Sequence, residues 1–245
     1  MTRKQYFSSG LKDGMPICFG YFAVSFAFGI QAAGIGLSVF EASVLSALNV
    51  TSAGQFAALA IIASGASLIE LAFTQLIINL RYFLMSCALS QKLSPSLPLG
   101  HRLGIAYGMT DEIFAVSVSQ REPLSPFYSY GLIAVAIPGW VLGTALGAAA
   151  GNILPAVLTN ALGIAIYGMF IAIILPPAKE NRVVAGVVVL SMVLSALFTY
   201  LPVLCNISSG FRIIVITLIT AGGAALLFPI PDEPAEPKKE MPHES

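Results

Sequence analysis

Between Leu68 and Ser90 the chain reads LIELAFTQLIINLRYFLMSCALS, and no other stretch constrains the fold as much. Roughly 20 residues at about 1.5 Å rise cross a hydrocarbon layer of about 30 Å, so the run is long enough to span a membrane. Yet Glu70, Thr74, Gln75, Asn79 and Arg81 sit inside it. An ionisable group at membrane depth costs about 2.5–3.5 kcal/mol on insertion scales, so such groups face a bundle interior or a wet cavity. The helix reads as one wall of a polar pathway.

Composition supports a membrane setting. Of 245 residues, 57% are hydrophobic and 10% charged, against about 25% charged in soluble domains. A chain this poor in charge cannot cover its own surface in water. It reads as all-α, a polytopic membrane helix bundle of about seven to eight segments embedded in a lipid bilayer. A single transmembrane domain over 1–230 is followed by a Pro-rich, charged tail, 231–245, expected to be disordered. Zero net charge, from 12 basic and 12 acidic residues, leaves no electrostatic footprint for nucleic acid. Cys18, Cys87 and Cys205 lie in or near apolar runs without CxxC spacing, which suits packing rather than a disulfide or metal site. No metal or cofactor is expected.

The first 13 residues, with Arg3, Lys4 and Lys12, read as a cytoplasmic segment ahead of the first apolar run, Met15 to Gly36. Gly14, Pro16 and Gly20 interrupt that run. Interrupted segments suit discontinuous helices whose freed backbone groups meet a substrate; glycines equally suit close helix packing. Helix breaks are expected at Gly14, Pro16 and Gly20, and at Gly54 in the second run, 38–63. That run holds Asn49-Val50-Thr51-Ser52-Ala53-Gly54-Gln55 at its centre. Either the helix breaks near Ser52–Gly54 or one face lines a cavity, and both turn Asn49, Thr51, Ser52 and Gln55 inward. It is also the candidate re-entrant segment. The basic N-terminus and the 91–103 connection share a side only if an early segment re-enters, and Lys179 and Arg182 then fall on the other side.

On 68–90, at about 100° per residue, Glu70, Thr74 and Arg81 share one face and Gln75, Asn79 and Tyr82 another. Glu70 and Arg81 lie about 16 Å apart along the axis and cannot pair. Each needs a partner from elsewhere, unless Arg81 snorkels to the interface. His101, in the 91–103 connection, reads as a solvated loop residue with no second metal ligand beside it. Thr110-Asp111-Glu112 lie within a short apolar run over 104–120, which favours buried carboxylates, one of them facing the pathway. The competing reading makes Thr110 a helix cap and both acids first-turn residues favoured by the dipole. Phe127–Ala150 and Ile153–Leu175 read as uncharged spans joined by a Gly151-Asn152 turn, followed by spans over Val183–Val203 and Ile213–Phe228. Gly104–Met109 is echoed at 163–169, which in so Gly- and Ala-rich a chain reads as chance. The absence of HExxH, of a Walker loop and of a nucleophile with a neighbouring base speaks against an enzyme.

Five motifs carry a resemblance over residues 10–120. They are Gly14-x-Pro16 with Gly20, Phe26-x-Phe28-Gly29, the small-residue run ending Gln55-Phe56, Asn79-x-Arg81-Tyr82, and Thr110-Asp111-Glu112-x-Phe114. Together they resemble the AzlC family of branched-chain amino acid permeases. One departure is the glycine ahead of Gln55-Phe56, which stands at Gly54 rather than two residues earlier. The resemblance implies export of Leu, Ile, Val or Met across the bacterial inner membrane by a multi-pass protein. It also implies a separately encoded, small hydrophobic AzlD-type subunit as partner.

An amino acid zwitterion in a dry bundle needs an anion for its ammonium, donors for its carboxylate and an apolar pocket. Glu70, Asp111 and Glu112 are the anionic candidates. Arg81, Asn79 and Gln55 are the donors, with Asn49 and Thr51 beside them. Proton coupling is expected to use one buried carboxylate. A passive channel for small polar solutes, with the same residues as its filter, is the alternative.

Overall fold

A computed structural model of the chain describes residues 2–120, 123–151, 153, 168, 171, 174–201, 204 and 207–229. The turn at Asn152, nearly all of the span expected over 153–175, Cys205 and the tail 231–245 lie outside the described residues. The helices are α1 (Arg3–Gly34), α2 (Val39–Leu48), α3 (Ser52–Ala63), α4 (Leu68–Lys92), α5 (Leu99–Tyr107), α6 (Asp111–Val118), α7 (Pro126–Gly151), α8 (Arg182–Tyr200) and α9 (Ser209–Leu227). Of these, α1, α4, α7, α8 and α9 are long and apolar enough to cross a membrane. The protein is an all-α membrane bundle.

A stem of two helices organises the rest. Cys18 O faces Gly139, Phe22 O faces Gly143 and Phe26 O faces Gly147. The offset is constant along the pair, so α1 and α7 run parallel in register. A Cβ on Gly147 would stand 2.0 Å from Phe26 O, and one on Gly131 would stand 2.3 Å from Phe7 O. Backbones this close require glycine, the small-residue packing used between membrane helices.

The same packing corrects the expected breaks in the first run. Helix α1 continues through Gly14, Pro16 and Gly20, because α7 lies along it and holds it. Gly14 is a contact point, where a Cβ would meet Val135 Cγ1 at 2.5 Å. The helix already begins at Arg3, capped by Thr2, so the basic segment is its first turns rather than a separate approach.

Parallel stem helices leave the intervening chain to start and finish at opposite ends. It does so with one full span, α4, and two hairpins that each dip in and return. The first is α2–α3. Gln55 Nε2 donates to Ser46 Oγ at 3.0 Å and to Leu45 O at 3.3 Å. Ala42 and Leu59 share a buried cluster with Phe28, Ala32 and Ala148. These contacts bring α3 back along α2, so both open at the end where α1 and α7 finish, here the upper end. The run over 38–63 is therefore re-entrant. Its break lies at 49–51 rather than Ser52–Gly54, since Thr51 is the N-cap of α3. Gly54 sits inside the first turn, where a Cβ would come within 2.7 Å of Gln75 Oε1.

The second hairpin, α5–α6, enters from the lower end. Arg102 of α5 donates to Ser90 Oγ and, at 2.9 Å, to Ser94 O, while Lys92 Nζ donates to Val118 O at 2.6 Å. Both ends of this hairpin are thus tied to the foot of α4. His101 is not a solvated loop residue: it belongs to α5 and its Nδ1 lies 2.8 Å from Tyr130 Oη of α7.

Helix α9 starts at the upper end, because Gly210 N donates to Glu70 Oε1 in the first turn of α4 at 2.8 Å. Leu204 N donates to Leu201 O and Ile207 N to Leu204 O, and α8 packs on α9. The 19 residues of α8 extend about 28 Å, which returns Arg182 to the lower end. Lys179 and Arg182 therefore join the N-terminus and the 91–103 connection rather than opposing them.

Candidate functional site

The two hairpin tips meet halfway along the stem, where Tyr107 Oη donates to Ala47 O at 2.6 Å. Between the tips, α1 and α4 lies a cavity of about 410 Å³. Two helix N-termini front it, Thr51 and Ser52 from α3, and Thr110, Asp111 and Glu112 from α6. Thr51 Oγ1 accepts from Gly54 N and Thr110 Oγ1 accepts from Ile113 N. The first backbone N–H groups of a helix have no intrahelical partner and carry partial positive charge, so these ends suit an anionic group. Ile17, Val24, Val50 and Trp140 supply an apolar wall.

Helix α4 clasps both tips from the side. Arg81 Nη1 lies 3.0 Å from Asp111 Oδ2, and its Nη2 donates to Tyr82 Oη at 2.8 Å. Tyr82 Oη in turn donates to Thr51 Oγ1 at 3.3 Å. One turn away, Asn49 Nδ2 and Asn79 Nδ2 each donate to Gln75 Oε1 at 3.1 Å, and Gln75 Nε2 donates to Gly54 O at 2.7 Å. Gln75 thus ties the first hairpin to α4 through Asn49 and Gly54, and Asn79 holds Gln75 from within α4. Arg81 does not snorkel; it finds its partner across the bundle.

The acidic pair takes the capping arrangement rather than the buried one. Thr110 is the N-cap of α6 and both acids lie in its first turn. Asp111 is 41% exposed and Glu112 is exposed to the cavity it lines. Burial fails because the apolar residues ahead of Thr110 belong to the other arm of the hairpin. Glu112 Oε2 accepts from Tyr21 Oη at 2.6 Å, and Tyr21 Oη is also hydrogen-bonded to Thr110 Oγ1.

Gln55 is fully buried and braces the first hairpin, with its Oε1 accepting from Trp140 Nε1 at 3.1 Å. Glu70, 5% exposed, is occupied with α9 at the upper end and does not join the cavity. Sequence reasoning missed Tyr21 and Trp140, whose rings meet edge to face at 5.3 Å. The signal for Tyr21 was its stripe with Ile17 and Val24 at i, i+4 and i+7; for Trp140 it was being the chain's single tryptophan.

Residues 16–154 match the model of a family described as AzlC protein, a region that includes every residue lining the cavity. An uncharacterized membrane protein of Archaeoglobus fulgidus is 35% identical over 189 residues, 76% of this chain and 83% of the relative. The inner membrane protein YgaZ of Escherichia coli K12 is 31% identical over 184 residues, 72% of this chain and 75% of the relative. No solved structure matches.

Proposed function

The chain belongs to the AzlC family of membrane proteins, and we propose that it is a secondary transporter exporting Leu, Ile, Val, Met or related hydrophobic amino acids across the bacterial inner membrane. The observation that carries this reading is the chemistry of the cavity. It brings together a carboxylate, Glu112, two helix N-termini and the apolar side chains of Ile17, Val24, Val50 and Trp140. An amino acid zwitterion matches that set: ammonium to Glu112, carboxylate to a helix N-terminus, side chain to the apolar wall.

The orientation follows from charge. Arg3, Lys4, Lys12, Lys92, Arg102, Lys179 and Arg182 gather at the lower end of the bundle, while Glu41, Glu70 and Arg212 lie at the upper end. An excess of Lys and Arg marks the cytoplasmic side. In this reading a proton moves inward in exchange, and a small hydrophobic AzlD-type subunit completes the assembly.

Reconstitution with and without that subunit, followed by labelled valine flux under an imposed proton gradient, tests the whole. Substrate on the far side should accelerate flux. Flux insensitive to far-side substrate would mean a passive pore, and no flux with both chains present would overturn the reading.

A further inference from the structure

We propose that Glu112 is the group at which a proton and the substrate ammonium exclude one another, with Tyr21 as a hydroxyl partner that serves both states. This rests on the reading of the cavity as an amino acid site. It begins with the two adjacent acids of α6, which differ in what surrounds them. Asp111 is neutralised by Arg81 at 3.0 Å. Glu112 lines the same cavity, and its hydrogen bond is to Tyr21 Oη; among the described residues no cationic side chain pairs with it. It is the uncompensated negative charge of the wall. A carboxylate in such a place attracts either a proton or an ammonium group, and accepting one removes the charge that holds the other.

Among the described residues, the titratable and charged groups around Glu112 are few. Helix α1 presents Tyr21, α4 presents Arg81 and Tyr82, and α6 itself presents Asp111. The tip of α3 and the face of α7 present Thr51, Ser52 and Trp140, which do not titrate.

Tyr21 makes the exchange possible without stranding a polar group. A phenol has one proton to donate and lone pairs to accept with, and Tyr21 Oη touches both Glu112 and Thr110. With Glu112 ionised, Thr110 donates to Tyr21 and Tyr21 donates to the carboxylate. With Glu112 protonated, the carboxyl donates to Tyr21 and Tyr21 donates to Thr110. Thr110 Oγ1 keeps the N–H of Ile113 in both. In the cycle the ammonium leaves Glu112 ionised on the outer side and a proton from that side replaces it. The proton is released inside when the next ammonium binds. One substrate leaves for one proton gained.

The test is calorimetric binding of L-valine to the purified full-length chain, alone and together with the small subunit, in buffers of different ionisation enthalpy, from pH 4 to 8. Below the carboxyl midpoint, valine binding should release up to one proton and the apparent Kd should rise about tenfold per pH unit. Glu112→Gln should abolish both effects, and Glu112→Asp should keep them. Tyr21→Phe provides a readout if Glu112→Gln binds no valine. Removing the donor to the anion disfavours the ionised state, so affinity should start to fall at a higher pH than in the wild type. Valine binding without proton release in the wild type would overturn the proposal and leave the amino acid site standing, as would a slope that survives Glu112→Gln. Absence of valine binding at every pH would remove the amino acid site and the proposal with it.

Discussion

Arg81 Nη1 lies 3.0 Å from Asp111 Oδ2, joining the middle of a full membrane span to the first turn of a half-helix that enters from one end. Through Tyr82 the same dipeptide also reaches Thr51 on the opposite hairpin. Both walls of the cavity therefore lean on one pair of adjacent residues in α4. Each side chain of the ion pair is 41% exposed, and exposed pairs contribute about 0–1 kcal/mol. A contact of that size fixes a geometry yet opens readily, which suits a transporter that must rearrange.

Arg81→Gln and Asp111→Asn should each lower valine efflux from preloaded cells by tenfold or more with expression unchanged. A double-mutant cycle on thermal unfolding should return a coupling of about 1 kcal/mol or less, favourable in sign. Undiminished efflux in both single variants would remove the pair from the pathway. A coupling of unfavourable sign would contradict the ion pair.

The glycine stem makes a prediction about folding rather than transport. A Cβ at position 147 collides with the backbone oxygen of Phe26 at 2.0 Å, and a backbone cannot rotate away as a side chain can. Gly147→Val should therefore separate α1 from α7 and cost about 1–3 kcal/mol or more, read as lost thermal stability in detergent. Gly186→Ala in α8 has nothing within 4 Å and should stabilise by up to about 1 kcal/mol through helix propensity alone. Equal effects of the two would contradict the parallel stem.

The contrast between those glycines shows what the sequence could and could not convey. Composition and run length were enough for a membrane helix bundle, while the polar centre of 38–63 and the basic loops made it the candidate re-entrant segment without deciding between re-entry and a full span. The second hairpin was not legible. Its arms, Leu99–Tyr107 and Asp111–Val118, are each too short to stand out from one continuous apolar run, and Thr110 alone marked the break. Glycine is ambiguous in sequence for a physical reason: a residue without a side chain serves a helix break and a close approach alike. At Gly14 only the neighbouring helix decides, whereas Gly20 meets nothing and opens onto the cavity. Asn79 was separated from Glu70 by angle and Arg81 by its distance along the axis, but neither says which helix lies opposite, so α9 as the partner of Glu70 came only from the structure.

Glu70 should behave differently from the cavity residues. It holds the start of α9 through Gly210 N at 2.8 Å, an acceptor role that Gln can also fill. Glu70→Gln should leave valine efflux within about threefold of wild type, since the backbone hydrogen bond persists. Gly210→Ala should be worse, because its Cβ would come within 2.5 Å of Glu70 Oε1 and 2.8 Å of Thr74 Oγ1. The readout is hydrogen exchange over 209–217, faster in Gly210→Ala and unchanged in Glu70→Gln. Loss of efflux in Glu70→Gln with normal exchange would instead put Glu70 on the transport path.

Trp140 offers the most direct view of the site. It is the chain's single tryptophan, it lines the cavity, and its Nε1 donates to Gln55 Oε1 at 3.1 Å. Fluorescence excited at the red edge of indole absorption therefore reports on this one position. A branched side chain settling against the indole displaces water from its face, so saturating valine should shift the emission to shorter wavelength, and the amplitude should titrate with the binding constant. Trp140→Phe keeps the edge-to-face contact with Tyr21 but leaves the buried Gln55 oxygen without its donor, a loss of about 1–3 kcal/mol in stability. An emission spectrum that ignores valine while binding is seen by calorimetry would place the amino acid elsewhere than against this wall.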